Sequence, residues 1–262
     1  MRRLPKTHQD PINPAVTTWQ QALQEPTLGE SEIHVWRAPL NVSEETLQLF
    51  AECLAPDEET RAARFHFDQH RNYFVAGRGW LRTIISSYLK TTPVTLHFSY
   101  SSYGKPSLDE GTIRLRFNVA HSGEFALYAF ALGRDIGVDI ELINPEFASE
   151  EIAKQFFSAN EVTALLEFPA SERPHAFFDC WTRKEAFIKA QGMGLSLPLD
   201  QFEVSLKHDE PALLRTNWDL TEAPRWSLMN IAVATEYAAA LAVPAGAYCL
   251  KHFHIDEASL LI

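Results

Sequence analysis

Seven residues, Ile136-Gly137-Val138-Asp139-Ile140-Glu141-Leu142, alternate apolar and non-apolar side chains without a break. A strand points successive side chains to opposite faces. Ile136, Val138, Ile140 and Leu142 therefore form one apolar face, and Asp139 and Glu141 share the other. Such a strand must lie with one side against a core. Two carboxylates two residues apart on one face repel unless water surrounds them or a cation bridges them. Gly137, on that same face, reads as room left for a ligand. An edge strand with a wet acidic face and a cation site both fit these seven residues.

The rest of the chain supplies partners for this strand. Ile33 to Trp36 is a short strand pattern, and Leu47, Phe50, Ala51 and Leu54 mark a helix face that Asn41 or Ser43 caps. Pro56 with Asp57, Glu58 and Glu59 opens another helix. A long helix is expected over about 70–89. Phe74, Leu81, Ile85 and Tyr88 form its stripe, Gly77 is its close-packing point, and Arg71, Arg78 and Arg82 lie off the stripe. Strands are expected at about 96–100, 113–119, 125–132 and from Ile136, the second of them alternating Ile113, Leu115, Phe117 and Val119 with polar residues. The second half repeats the order. Ser158-Ala159-Asn160-Glu161 leads a helix to Phe168, a longer helix covers about 174–191 with Gly192 as its stop, and strands follow near 202–206, 226–229 and 238–243. The expected class is α+β, with two similar lobes, each a long helix on a small antiparallel sheet. The proline-bearing residues 1–30 read as an extended arm, 31–134 as the first lobe and 135–262 as the second.

Charge narrows the function. The net charge of −11 argues against a general nucleic-acid binder. Between 61 and 90 six basic residues stand against Asp68 alone, and between 135 and 172 nine acidic residues stand against Lys154 alone. A metal–phosphate ligand would suit that pairing, although solvated helix faces are the ordinary source of such runs. Cys53, Cys180 and Cys249 are too scattered for a disulfide framework or zinc set, and read as buried thiols of a reducing compartment. The basic N-terminus has no apolar run behind it, and Tyr237 to Leu250 is broken by Pro244 and Gly246. Neither a secretory signal nor a membrane span is expected, and the expected location is the cytoplasm.

Three more features carry chemistry. Glu185 and Lys189 lie one helical turn apart, and as an exposed pair would add only about 0.2–0.5 kcal/mol. Their aromatic neighbours, Phe178 and Trp181, point instead to partial burial. Lys105 sits in the turn Gly104-Lys105-Pro106, and His121 precedes Ser122-Gly123 at a strand end. Alone, they read as a solvent lysine and a capping or core histidine.

Taken in order, these features resemble a known family. Gly104-Lys105-Pro106, Phe117-Asn118-Val119-Ala120-His121-Ser122-Gly123, Ile136-Gly137-Val138-Asp139-Ile140-Glu141, Phe156-Phe157-Ser158, and Trp181 through Lys189 followed by Gly192-Met193-Gly194-Leu195 are similar to the two-lobed, surfactin-type 4'-phosphopantetheinyl transferases. The resemblance runs from about residue 33 onward.

That resemblance implies two lobes about a pseudo-twofold, with coenzyme A in the cleft between them. It implies transfer of phosphopantetheine to a serine of an acyl or peptidyl carrier protein, by a monomer that needs neither nucleic acid nor membrane. It makes Asp139 a Mg2+ ligand, with Glu141 and Glu185 completing the acidic set. Glu185, or else Glu141, takes the serine proton, and Lys189 stabilises the transferring phosphate. Lys105 and His121 match positions that contact coenzyme A phosphates, and Arg61 matches a 3'-phosphate contact. Arg78 is a further candidate in the same cleft, and Arg64 or Arg78 is expected to stand in for the basic residue that the family often has where this chain has Glu58. Lys184 is expected to be peripheral. Carrier docking is expected near 152–168, with Phe156, Phe157 and Leu165. The alternative is a non-catalytic carrier-binding module on the same fold.

Overall fold

The computed structural model describes residues 18–21, 25–108 and 114–260. Ile113 and most of the 1–30 arm lie outside the described residues. In chain order the strands and α-helices are β1 (Gln20–Gln21), β2 (Glu32–Pro39), α1 (Glu44–Glu52), α2 (Pro56–Ala62), α3 (Asp68–Leu89), β3 (Phe98–Tyr100), β4 (Pro106–Leu108), β5 (Leu115–Ser122) and β6 (Phe125–Leu132). They continue with β7 (Gly137–Leu142), α4 (Glu150–Phe156), α5 (Ala159–Glu167), α6 (Arg173–Gln191), β8 (Phe202–Val204), β9 (Leu213–Thr216), β10 (Trp226–Asn230), β11 (Tyr237–Pro244) and β12 (Cys249–His254). One sheet has the order β1-β12-β2-β6-β5 and a second the order β10-β11-β7, while β3–β4 and β8–β9 pair separately. The order β2-β6-β5 in one sheet recurs as β7-β11-β10 in the other.

Local chemistry sets the helix ends. Ser43 caps α1, and Ser158 with Glu161 forms a capping box on α5. Gly192 ends α6 in the left-handed region, at φ 69°. The alternation of β2 then sets the layers. Trp36 and Ala38 pack with Trp80 of α3, whereas Ile33 and Val35 point the other way, onto Val138, Ile140, Leu241 and Val243. The opposite face of β11, Ala238, Ala240 and Ala242, lies in a third cluster with Phe177 and Phe187 of α6. The layers run α3, first sheet, second sheet, α6.

Small residues let α6 lie close on its sheet. A Cβ on Gly137 would sit 2.0 Å from the Ala186 carbonyl oxygen and 2.4 Å from the Ala190 nitrogen. The space beside Gly137 therefore belongs to the helix backbone, not to a ligand. Likewise the close-packing glycine of α3 is Gly79, where a Cβ would fall 2.0 Å from Phe50, rather than Gly77.

Two basic residues on the long helices are core residues. Arg82 and Lys184 are both fully buried. Arg82 pairs with Glu58, its Nε 2.7 Å from Oε2, and donates to the carbonyls of Pro93 and Leu96. Lys184 Nζ lies 2.8 Å from Glu161 Oε2 and donates to the carbonyls of Leu199 and Phe202. Each glutamate also accepts a backbone N–H at the start of a helix, from Ala55 and Ser158 respectively. Each half thus uses one Glu–cation pair to hold a short helix, a long helix and the following turn. Of the thiols, only Cys180 is buried; Cys53 is half-buried and Cys249 exposed. Among the described residues no helix is long and apolar enough to cross a membrane.

His252 on β12 makes the fold acid-sensitive. Its Nε2 is buried without a partner among the described residues, and its ring lies 5.2 Å from that of Trp19. Burial pushes its pKa down to about 4. The folded state therefore keeps this imidazole neutral, while the unfolded chain takes up a proton near the ordinary value of about 6.5. Its contribution is whole above about pH 6.5 and is lost as pH falls toward 4, at most about 3 kcal/mol. Urea unfolding at several pH values should show this slope, and His252→Gln should flatten it.

Candidate active site

β7 bonds to β11 on one side only. Its other edge faces β5, and side chains bridge the gap. The Val138 N–H donates to Asn118 Oδ1 at 2.8 Å, and the Leu142 N–H donates to Ser122 Oγ at 2.9 Å. The two sheets are thus stitched where the acidic strand passes.

The carboxylate face of β7 turns toward α6. Asp139 is 3% exposed, and Lys189 Nζ lies 2.6 Å from its Oδ1. Its Oδ2 is buried with no partner among the described residues. Burial raises the Asp139 pKa, opposed by the Lys189 charge. Lys189 is drawn down by burial, but Asp139, Glu185 and Glu141 outweigh this and its pKa is raised. Lys189 therefore pairs across to β7 rather than with Glu185 along its own helix.

Glu141 is half-buried, and its Oε2 accepts the Ser122 hydroxyl at 2.9 Å. Burial and the Asp139 charge push its pKa up to about 7. Burial and Asp139 also raise Glu185. Three carboxylates and one ammonium therefore feel one another across a half-buried cleft. Among the described residues no three acidic, histidine or cysteine side chains already converge as a metal-ligand set. The bare Asp139 Oδ2 is nevertheless an oxygen that a hard cation would satisfy.

The basic candidates lie around this cleft in different states. His121 is exposed at the end of β5. Its pKa is lowered by partial desolvation and then by the Lys189 and Arg61 charges, so all three share one electrostatic neighbourhood. Arg61 is exposed, its guanidinium 5.3 Å from the Phe74 ring. Arg61 and Arg64 line an open depression with Asp57, Thr60 and Phe65. Arg78 is largely engaged, paired with buried Glu58 at 2.7 Å and donating to the Tyr100 hydroxyl. Lys105 is half-buried and donates to the Ile136 carbonyl at 3.1 Å and the Lys189 carbonyl at 2.6 Å. It ties the β3–β4 turn to the end of α6. Of the docking candidates, Phe157 and Leu165 are core residues, while Phe156 is half-buried.

Comparison with known proteins decides the family. The model described as the 4'-phosphopantetheinyl transferase superfamily matches residues 135–242, and that of the 4'-phosphopantetheinyl transferase N-terminal region matches 38–132. The 4'-phosphopantetheinyl transferase HetI of a Nostoc species is 39% identical over 239 residues, covering 90% of this chain and 98% of that protein. The chain belongs to the 4'-phosphopantetheinyl transferase superfamily. Another relative, the 4'-phosphopantetheinyl transferase Sfp of Bacillus subtilis, is 36% identical over 64% of this chain and 73% of its own length.

The two family matches meet between β6 and β7, the strand whose free edge is stitched to β5. Ser122 is the residue there that pattern reading passed over. It stood in the motif as part of a turn, and its spacing gives no sign that its hydroxyl reaches a carboxylate on a strand of the other sheet. Lys184 reads as peripheral to the chemistry, and its buried pair with Glu161 has no sign in the helix spacing. The Ser158–Glu161 capping box was the available signal, since it placed a glutamate beside the helix core.

Proposed function

We propose that this chain transfers 4'-phosphopantetheine from coenzyme A to a serine hydroxyl of an acyl or peptidyl carrier protein, releasing 3',5'-ADP. One observation carries the reading. Asp139 is buried with one oxygen on Lys189 and the other bare, beside Glu141 and Glu185, on a family-matched strand. Carboxylates with raised pKa values gathered beside one cation in a cleft favour a catalytic site over a non-catalytic binding module.

The residues divide the work. Asp139 Oδ2, Glu141 and Glu185 would hold Mg2+. When bound, Mg2+ would act as a Lewis acid, offsetting charge on the pyrophosphate and on departing 3',5'-ADP. Glu185 has a raised pKa and accepts the serine proton. The serine oxygen bonds to the phosphorus that bears pantetheine as the P–O bond to 3',5'-ADP breaks. Lys189 faces the charge that gathers on the transferring phosphoryl group. Arg61 and His121 contact coenzyme A phosphates, and Lys105 brings its one remaining N–H to the same cleft. We read residues 31–134 and 135–262 as two lobes about a pseudo-twofold, with β12 returning to the first sheet, a reading supported by the recurring sheet order. One chain then supplies both walls of the cleft and works as a monomer in the cytoplasm, with neither nucleic acid nor membrane.

Mass spectrometry of an apo carrier protein incubated with coenzyme A, Mg2+ and this protein tests the reading. A phosphopantetheine-sized gain on the carrier serine is expected, and chelator should abolish it. Coenzyme A binding with no gain on any of several carriers would favour the binding-module alternative.

A further inference from the structure

Ser122 is a half-buried serine whose hydroxyl has a defined orientation. The Leu142 N–H donates to its oxygen, and its own single proton goes to Glu141 Oε2, both at 2.9 Å. A hydroxyl has one proton to give. With backbone fixed on the accepting side, that proton is directed at the carboxylate. The serine stands on the last position of β5 in the first sheet, and the glutamate on β7 in the second. Among the described residues Ser122 is the one side chain that bonds across the seam to an acidic group of the cleft. The other stitch, Asn118 Oδ1, accepts only the Val138 N–H.

The three carboxylates are consequently not equivalent. Asp139 is fixed by Lys189, Glu141 is fixed by Ser122, and Glu185 accepts no hydrogen bond from a described side chain or backbone group. We infer that Ser122 is a positioning residue that sets the Glu141 carboxylate for the cation, so that the first sheet helps order a ligand set carried by the second. This rests on the transferase reading for its biological use, but its geometry concerns cation binding alone. Partners that orient a ligating group typically change metal affinity by about 10–100-fold when removed.

The test is Mn2+ binding to the coenzyme-free protein, followed by electron paramagnetic resonance, for wild type, Ser122→Ala, Ser122→Thr and Asn118→Ala. Ser122→Ala should weaken Mn2+ binding by about 10–100-fold. Ser122→Thr, which keeps the hydroxyl, should stay within about threefold of wild type on the same argument. Asn118→Ala removes a stitch without touching an acidic group and should leave Mn2+ affinity unchanged. In a Glu141→Ala background, Ser122→Ala should add no further loss, the signature of one coupled unit. In transfer assays the Mg2+ concentration for half-maximal rate should rise for Ser122→Ala while the KM for coenzyme A holds. Wild-type Mn2+ affinity in Ser122→Ala, an equal loss in Asn118→Ala, or a loss that persists without Glu141 would each overturn the assignment. Failure of the wild-type protein to modify any carrier would count against the transferase reading and leave the Mn2+ comparison to decide the role of Ser122.

Discussion

Asp139→Asn should lower the transfer rate by about a thousandfold or more while leaving the protein folded. The substitution keeps the shape and an oxygen that accepts the Lys189 ammonium, now 2.6 Å from Oδ1. It removes the negative charge and puts an amide group where one of the two oxygens stood. On the proposed mechanism, losing a ligand of the cation that offsets phosphoryl charge forfeits about 4 kcal/mol of transition-state stabilisation, or about three decades in rate. Stability moves little by comparison, because Asp139 is 3% exposed and its ionised form is already disfavoured there by burial. Single-turnover mass spectrometry beside urea unfolding separates the two effects. A variant within tenfold of the wild-type rate would remove Asp139 from the centre of the mechanism. A variant that loses rate only in step with folded fraction would make it structural.

Lys184→Ala should destabilise the protein by about 3–5 kcal/mol, the usual result of stranding one partner of a buried ion pair. That is a large part of the 5–15 kcal/mol typical of a folded domain. Three contacts go together: the pair with Glu161 and the two carbonyls of Leu199 and Phe202. Glu161 keeps its own backbone donors, the Ser158 and Val204 N–H groups, so its charge is not wholly orphaned. Combining Glu161→Gln with Lys184→Met should recover part of the loss, since no unpaired charge then remains in the core. Urea unfolding of the single and double variants measures both numbers, and the slope shows whether unfolding stays two-state. A single variant within about 1 kcal/mol of wild type would mean that water reaches the pocket and replaces the ammonium.

What the sequence made legible follows from range. β7 was readable because its period is local, and so were the ends of α5 and α6, where Ser158, Glu161 and Gly192 act on their own neighbours. Asp139, Glu141, Glu185 and Lys189 were found because a strand and a helix with short motifs present them. The pairing of Lys189 with Asp139 rather than Glu185 depends on how α6 lies on the sheet, and no helical spacing encodes that. Gly137 shows the same limit. Its place on the carboxylate face was correct, but what fills the space beside it is the backbone of a helix some fifty residues away in the chain. The buried pairs of Arg82 and Lys184 were hidden because each partner glutamate lies on another helix and no local spacing encodes it.

The strand β12 has a consequence for how the molecule is made. It lies parallel between β1 and β2, with Cys249 opposite Glu32 and His254 opposite Arg37. While the chain is being synthesised, β2 and β6 can pair as soon as they emerge, yet β2 keeps one open edge until β12 has been added. An unpaired edge beside the apolar side chains of Ile33, Val35 and Trp36 is a template for joining another nascent chain. Ribosome-stalled or C-terminally clipped products that end before β12 would carry that edge permanently, so the final strand acts as the closing seal against aggregation.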